Sequence, residues 1–318
     1  MNKMKKTLLL LVTIFLVSCG GKQTAVKEEI ESNPFDGVYK RIGTIQYVKG
    51  VPVDTVYISD LEEKEKFRQM KIFLDGYINW FTDLEIPENF KDRKTPWKSG
   101  QGGFGPYNFY NKDGQSKLVE KLTNLAGNGM LWANGSMRDS IIENGYRYFR
   151  FNVNQESDGY TQVFDWDEAP ETGYGEYFQK VELDNSNASE LDGVWKHIAN
   201  VTYINNIPVD TIAVPDGLDD HKTFLKGHAV VNFDFTKAKE GDDNWGGSAL
   251  YGTYSYVDGV LTENWMMGTG NWIENGTKWD PLVADIDMID EDSFIQINRY
   301  NADEEKKQRN GLLHVRVK

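Results

Sequence analysis

Two glutamates stand where the sequence makes a carboxylate hard to keep. Glu120 and Glu263 each close a Leu-x-Glu triplet that follows an Asp-Gly turn signal, at Asp113-Gly114 and Asp258-Gly259. A two-residue loop at Asp258-Gly259 pairs Val257 with Val260, Tyr256 with Leu261, Tyr254 with Glu263 and Gly252 with Trp265. Cross-strand partners share a face, so Tyr254, Tyr256, Leu261, Glu263 and Trp265 line one side of the hairpin. Thr253, Ser255, Thr262 and Asn264 line the other. The aromatic face is expected to point inward, which sends Glu263 among rings. A carboxylate there is protonated, paired with Lys or Arg, hydrated, or held for a ligand, because burying an unpaired charge is costly. Both a structural buried acid and a ligand contact satisfy that condition. Glu120 follows the same pattern, with a longer turn that leaves its facing open.

Other chemistry-bearing patterns lead away from catalysis. Gly100-Gln101-Gly102-Gly103-Phe104-Gly105 satisfies G-x-G-x-x-G, but Pro106 and Tyr107 follow where a dinucleotide site needs a helix. The acids of Asp216 to His221 and Asp285 to Asp292 lack the spacing of an EF-hand loop. His197, His221, His228 and His314 form no helical two-His pair, and no G-x-S-x-G elbow occurs. The expectation is therefore no catalytic residues, no metal, no cofactor and no enzyme. Nine tryptophans, Trp80, Trp265 and Trp272 among them, suit either a barrel core or stacking on sugar rings.

The elements that hold these residues come in two copies. Phe35 to Thr55, FDGVYKRIGTIQYVKGVPVDT, aligns without a gap on Leu191 to Thr211, LDGVWKHIANVTYINNIPVDT. The likeness continues in Phe73-Leu74-Asp75-Gly76 against Phe224-Leu225-Lys226-Gly227, and in Gly105-Pro106-Tyr107 against Gly252-Thr253-Tyr254. Short alternating runs between Asp-Gly and Asn-Gly turns predict hairpins. Leu61 to Gln69 is the one helix candidate, as either a surface helix or a loop. The predicted class is all-β, with antiparallel barrels over 35–182 and 191–318 joined by a polar, flexible linker over 183–190.

Ahead of the repeats, Lys3, Lys5 and Lys6 precede an apolar run from Leu8 to Val17 that is short for a membrane span. Leu16-Val17-Ser18-Cys19-Gly20-Gly21 then resembles a lipobox. That resemblance implies a signal peptide over 1–18, cleavage before Cys19, and fatty acyl chains of the palmitate type on Cys19, with 19–34 as a flexible tether. Cys19 is the only cysteine, so no disulfide framework or thiolate metal site is available. Removing residues 1–18 takes the net charge from −14 to −17, which repels phosphate backbones and argues against nucleic acid as a partner.

Gly193-Val194-Trp195 resembles the G-x-W opening of lipocalins, and Gly37-Val38-Tyr39 differs only in the aromatic. With the shared motifs above, the chain is similar to the lipocalin-like domains of Bacteroidetes lipoproteins, in tandem. The resemblance implies up-and-down barrels whose cups hold a small, often apolar molecule, with Trp195 plugging the closed end. Asp54-Thr55-Val56, Asp139-Ser140-Ile141 and Asp210-Thr211-Ile212 also resemble Asp-Ser/Thr-hydrophobic O-glycosylation sites of such exported proteins. The expectation is an outer-membrane lipoprotein that binds an apolar or amphipathic ligand through Glu120, Glu263, Tyr254, Tyr256 and Trp265. The alternative is a surface-displayed scaffold that binds glycan or protein through exposed loops and aromatics.

Overall fold

The computed structural model describes residues 35–62, 67–83, 100–126, 147–165, 170–235, 247–269, 280–299 and 307–318. The expected signal peptide and tether, with Cys19, lie outside the described residues, as do Ser140 and Trp272.

The first copy contains β1 (Gly37–Val48), β2 (Val51–Tyr57), β3 (Arg68–Leu74), β4 (Tyr77–Asp83), β5 (Gln101–Lys112), β6 (Gln115–Leu122), β7 (Asn124–Ala126), β8 (Arg147–Glu156), β9 (Gly159–Phe164) and β10 (Thr172–Lys180). The second contains β11 (Gly193–Ile204), β12 (Ile207–Ala213), β13 (Leu218–Leu225), β14 (His228–Phe235), β15 (Ser248–Val257), β16 (Val260–Gly268), β17 (Leu282–Asp290), β18 (Ser293–Asn298) and β19 (Gln308–Arg316). Each copy closes into an eight-stranded antiparallel barrel, by β10 on β1 and by β19 on β11. Two closed barrels in tandem are the predicted all-β class. Closure leaves no edge within either ring, while β2 and β12 pair only with β1 and β11 and flank the rings as hairpin arms.

Local sequence explains the ring. Asp75-Gly76, Asp113-Gly114, Lys226-Gly227 and Asp258-Gly259 all take positive φ at both positions, the conformation of a type I′ hairpin turn. Each joins two strands at the same end of its barrel. That end is the base, and the longer connections lie at the other. Along β6, Leu118, Glu120 and Leu122 are buried with less buried residues between them, and β16 repeats this at Leu261, Glu263 and Trp265. The helix candidate is not borne out at its C-terminal end, where Arg68 and Gln69 open β3.

Several strands are buried on both faces, β3, β4, β13 and β14 among them. Their second face meets the other barrel. Val38, Met70, Ile72 and Phe81 pack with Leu225, Val230, Ala249, Tyr251 and Met267 in one apolar cluster. Asn79 Nδ2 donates to Thr223 Oγ1 (3.3 Å) and to the Val230 carbonyl (3.2 Å). The rings of Phe104 and His221 stack at 3.9 Å. Matched positions of the two copies meet at this seam: a Cβ on Gly102 would lie 2.4 Å from the Cβ of Ala249, its counterpart. Such self-complementary packing is how a two-fold dimer interface is built, here within one chain.

The connection between the barrels makes hydrogen bonds of its own. Asp184 caps a 3-10 turn, Asn185–Asn187, by accepting from the Ser186 N–H at 2.8 Å. Lys226 Nζ donates to Asn185 Oδ1 at 2.7 Å, and Lys226 N donates to Asp192 Oδ1 at 2.9 Å.

Candidate functional site

At the base, the two Gly-x-aromatic motifs are superposable in role. Gly37 and Gly193 both have φ of +151°, a region that side chains avoid. A Cβ on Gly193 would fall 1.9 Å from Arg316 Nη1, and one on Gly37 would fall 2.9 Å from Lys180 Cε. The cations pass over the aromatic partners: Arg316 lies 4.1 Å from the Trp195 ring and Lys180 lies 5.8 Å from Tyr39. Trp195 Nε1 donates to the Leu191 carbonyl at 2.7 Å. Tyr107 OH donates to Asp36 (3.0 Å), and its counterpart Tyr254 donates to Asp192, so each chain entry is latched to its own barrel.

Above the base, each lumen holds the same buried ion pair. Glu263 accepts from Lys222 Nζ at 2.8 Å, and Gln296 Nε2 donates to its second oxygen at 3.1 Å. Glu120 accepts from Lys71 Nζ at 2.7 Å, and Lys71 also donates to Gln162 Oε1 at 3.3 Å. The observed registers, Tyr254 with Glu263 and Tyr107 with Glu120, turn both carboxylates inward. The partner of each is thus a lysine two residues before the shared Phe-Leu-x-Gly motif. Rings surround the ammonium groups: Lys71 Nζ lies 4.8 Å from the Phe178 centroid, and Lys222 Nζ lies 5.8 Å from Trp265. Burial raises the Glu120 carboxyl above the usual range, and Lys71 opposes the shift by charge and hydrogen bonding.

Around this common frame the copies differ. In barrel 1, Gln162 Nε2 donates to Glu176 (2.6 Å), and Arg41 Nη1 donates to Glu176 (2.6 Å) and to Gln69 (3.0 Å). In barrel 2 the positions of Arg41, Gln69 and Phe178 are taken by His197, Asp220 and His314. His197 Nδ1 faces Asp220 at 3.1 Å and its Nε2 faces the Ala199 carbonyl at 3.0 Å, so each ring nitrogen has an oxygen within hydrogen-bond reach. Burial favours a protonated Asp220, but the hydrogen bond and charge of His197 outweigh it and hold the carboxyl below its usual range. Burial and the charge of Lys222 push His314 down to about 3, which keeps that ring neutral.

Barrel 1 also buries polar atoms that have no partner. Tyr160 OH, Trp80 Nε1 and Thr82 Oγ1 are sealed from solvent without a hydrogen bond among the described residues. Each such group costs about 1–3 kcal/mol. The two-residue alternation of β4 and β9 turns all three toward the lumen, with Gln162, Lys71 and Phe73.

Of the residues singled out from sequence, Glu120, Glu263 and Trp265 line the lumens. Tyr254 and Tyr256 serve the base, where Tyr256 OH donates to Glu190 at 2.7 Å. Gly37, Tyr39, Gly193 and Trp195 form the base motifs. Trp80 and Trp265 are buried, so neither is available for stacking on an external glycan. Thr55 and Thr211 lie on the solvent-facing arms β2 and β12, each with its N–H bonded to the preceding aspartate (2.8 and 2.9 Å). Of the G-x-G-x-x-G glycines, Gly100 precedes β5 while Gly102 and Gly105 lie in it; Gly102 meets Ala249, and the neighbouring Gly103 lies under the Trp80 indole. Asp285 pairs with Arg299 and Arg309, and Asp219 pairs with Lys196 at 2.8 Å. No family model matches the chain, and no curated protein matches it in sequence.

The sequence reading missed Lys71, Lys222, Gln162, Gln296 and the His197–Asp220–His314 group. One signal was present. Gln69, Lys71 and Phe73 alternate onto one face of a strand whose copy carries Asp220, Lys222 and Phe224.

Proposed function

We propose that the chain is a non-catalytic lipoprotein of the cell envelope, of the tandem lipocalin-like kind, that binds a small apolar or amphipathic molecule in a barrel cup. Its anchor is acylated Cys19 in the outer membrane, and its acidic surface does not engage nucleic acid. The observation that carries the reading is the buried Lys-Glu-Gln frame, present in both copies inside lumens otherwise lined by rings. Packed apolar residues alone would close a barrel at no electrostatic cost, whereas a polar layer within an aromatic cup gives an amphipathic guest an orientation.

Native mass spectrometry of the protein released from its own host's membranes tests the reading. An added mass that disappears on denaturation is the expected result. A bare polypeptide mass would overturn it.

A second reading, a surface-displayed adaptor, has one observation in its favour. Val48, Val51, Val53, Ile204, Ile207, Val209 and Ile212 are exposed large apolar side chains, and all lie on the two hairpins that carry β2 and β12. Clustered exposed apolar groups mark contact surfaces. Those hairpins, rather than tryptophans, are where a protein partner would bind.

A further inference from the structure

We propose that barrel 1 alone is the binding cup, and that its ligand is a neutral molecule with an apolar body and oxygen atoms at opposite ends, held by Tyr160 on one wall and by Trp80 and Thr82 on the other. This rests on the cup-binding reading and assigns it to one copy.

Three observations converge. The orphaned groups Tyr160 OH, Trp80 Nε1 and Thr82 Oγ1 all belong to barrel 1, and the same positions in barrel 2 are Phe294, Val231 and Phe233. Among the described residues, the orphaned side-chain atoms outside this set lie on outer faces or at the seam between barrels. Buried polar groups in folded proteins are nearly all bonded, so three in one lumen and apolar replacements in the other mark a site rather than a packing requirement.

Their placement fits a two-ended ligand. Around the ring, β9 and β4 stand four strands apart in either direction, so Tyr160 faces Trp80 and Thr82 across the barrel. Trp80 is the cross-strand partner of Lys71, and Tyr160 lies two residues from Gln162, so the orphans flank the ion pair from both sides.

The chemistry of the lining sets the ligand class. Lys71 is paired with Glu120 and Arg41 with Glu176, so among the described residues these lumen charges leave none over for a charged ligand. Indole N–H is only a donor, while the phenol and threonine hydroxyls donate or accept. Burial pushes the Tyr160 phenol well up, so it stays a neutral donor. Phe149, Phe151 and Phe164 supply apolar walls for the body between the oxygens. At the position of Phe151 barrel 2 has Ala284.

The test is titration calorimetry of the full chain with 1,4-naphthoquinone, against naphthalene as the oxygen-free body, together with melting temperatures. Wild-type protein is expected to bind the quinone and to bind naphthalene at least about tenfold more weakly, as two lost hydrogen bonds require. Tyr160→Phe and Thr82→Val, which install the apolar chemistry of barrel 2, are each expected to weaken binding about fivefold and to raise or preserve the melting temperature. Ala284→Val, which narrows the lumen of barrel 2, should leave quinone affinity unchanged. Quinone binding lost in Ala284→Val and kept in Tyr160→Phe would move the ligand to barrel 2 and overturn this assignment while the cup reading stands. Equal affinity for naphthalene, or no quinone heat with wild-type protein, would overturn the ligand class. A Tyr160→Phe melting temperature that falls with affinity unchanged would make the hydroxyl a structural group.

Discussion

Barrel 1 and barrel 2 share a base, a ring and a buried Lys-Glu-Gln frame, and then part company above it. Barrel 1 places the permanently charged Arg41 against Glu176 and leaves three neutral polar groups without partners. Barrel 2 places His197, Asp220 and His314 at the matching level and fills the orphan positions with Phe294, Val231 and Phe233. The frame persists in both because half an ion pair is worse than none, so the two residues of each pair must be lost together or kept together. The groups outside that coupling are the ones that diverged, and they are where the two cups acquired different chemistry.

The largest expected effect is on the shared frame. Lys71→Met and Lys222→Met should each cost about 3–5 kcal/mol in urea unfolding, because each leaves a carboxylate buried without its cation. Changing Glu263 to Met as well should restore most of the loss in barrel 2. A double variant as unstable as the single would show that packing, and not charge pairing, keeps the frame.

Acid comes next and should separate the copies. The depressed pKa of His314 keeps the folded ring neutral while the unfolded chain takes up a proton below about 6.5. Its contribution is therefore full above that pH and is lost at about 1.4 kcal/mol per pH unit as the pH falls toward about 3. His221, pushed down to about 4 by burial, acts with the same sign at the seam. The raised Glu120 carboxyl has the opposite sign, since protonation at low pH relieves its burial. Hydrogen exchange between pH 7 and pH 4 should show β11, β13 and β19 losing protection before β1, β3 and β10. Simultaneous loss would contradict this assignment.

Smaller effects are expected at the base. Gly193→Ala should cost about 3 kcal/mol, and Gly37→Ala about half as much, as measured by thermal unfolding. Both share the strained φ, but the added methyl meets the Arg316 guanidinium in one and the flexible end of Lys180 in the other. Equal costs would mean that backbone strain alone decides. Smallest of all, Val51→Ser and Ile207→Ser should change stability by no more than about 0.5 kcal/mol. Loss of a host partner in pull-downs from these variants, with stability intact, would favour the adaptor reading.

What was legible in the sequence was local. Asp258-Gly259 fixed a register, the register sent Glu263 inward, and the repeat carried the same result to Glu120. The partners of those acids come from strands that are distant in the chain, and nothing in a hairpin names Lys222 or Lys71. The seam was hidden for a related reason. Runs such as Gln69 to Phe73 and Ile78 to Thr82 are buried on both faces, which blurs the two-residue alternation that marks a strand with one wet side. Tyr256 shares the face of Glu263 but lies beside the Asp258-Gly259 turn at the base, so its hydroxyl reaches Glu190 instead of the lumen.

One measurement bears most directly on the division between the cups. Hydrogen exchange would be followed in protein purified from its host and again after denaturation and refolding free of small molecules. The account predicts that refolding lowers protection in β4 and β9, the walls of barrel 1 that carry Trp80, Thr82 and Tyr160, and leaves β14 and β18 unchanged. Unchanged protection in all four strands, or a loss confined to β14 and β18, would contradict it.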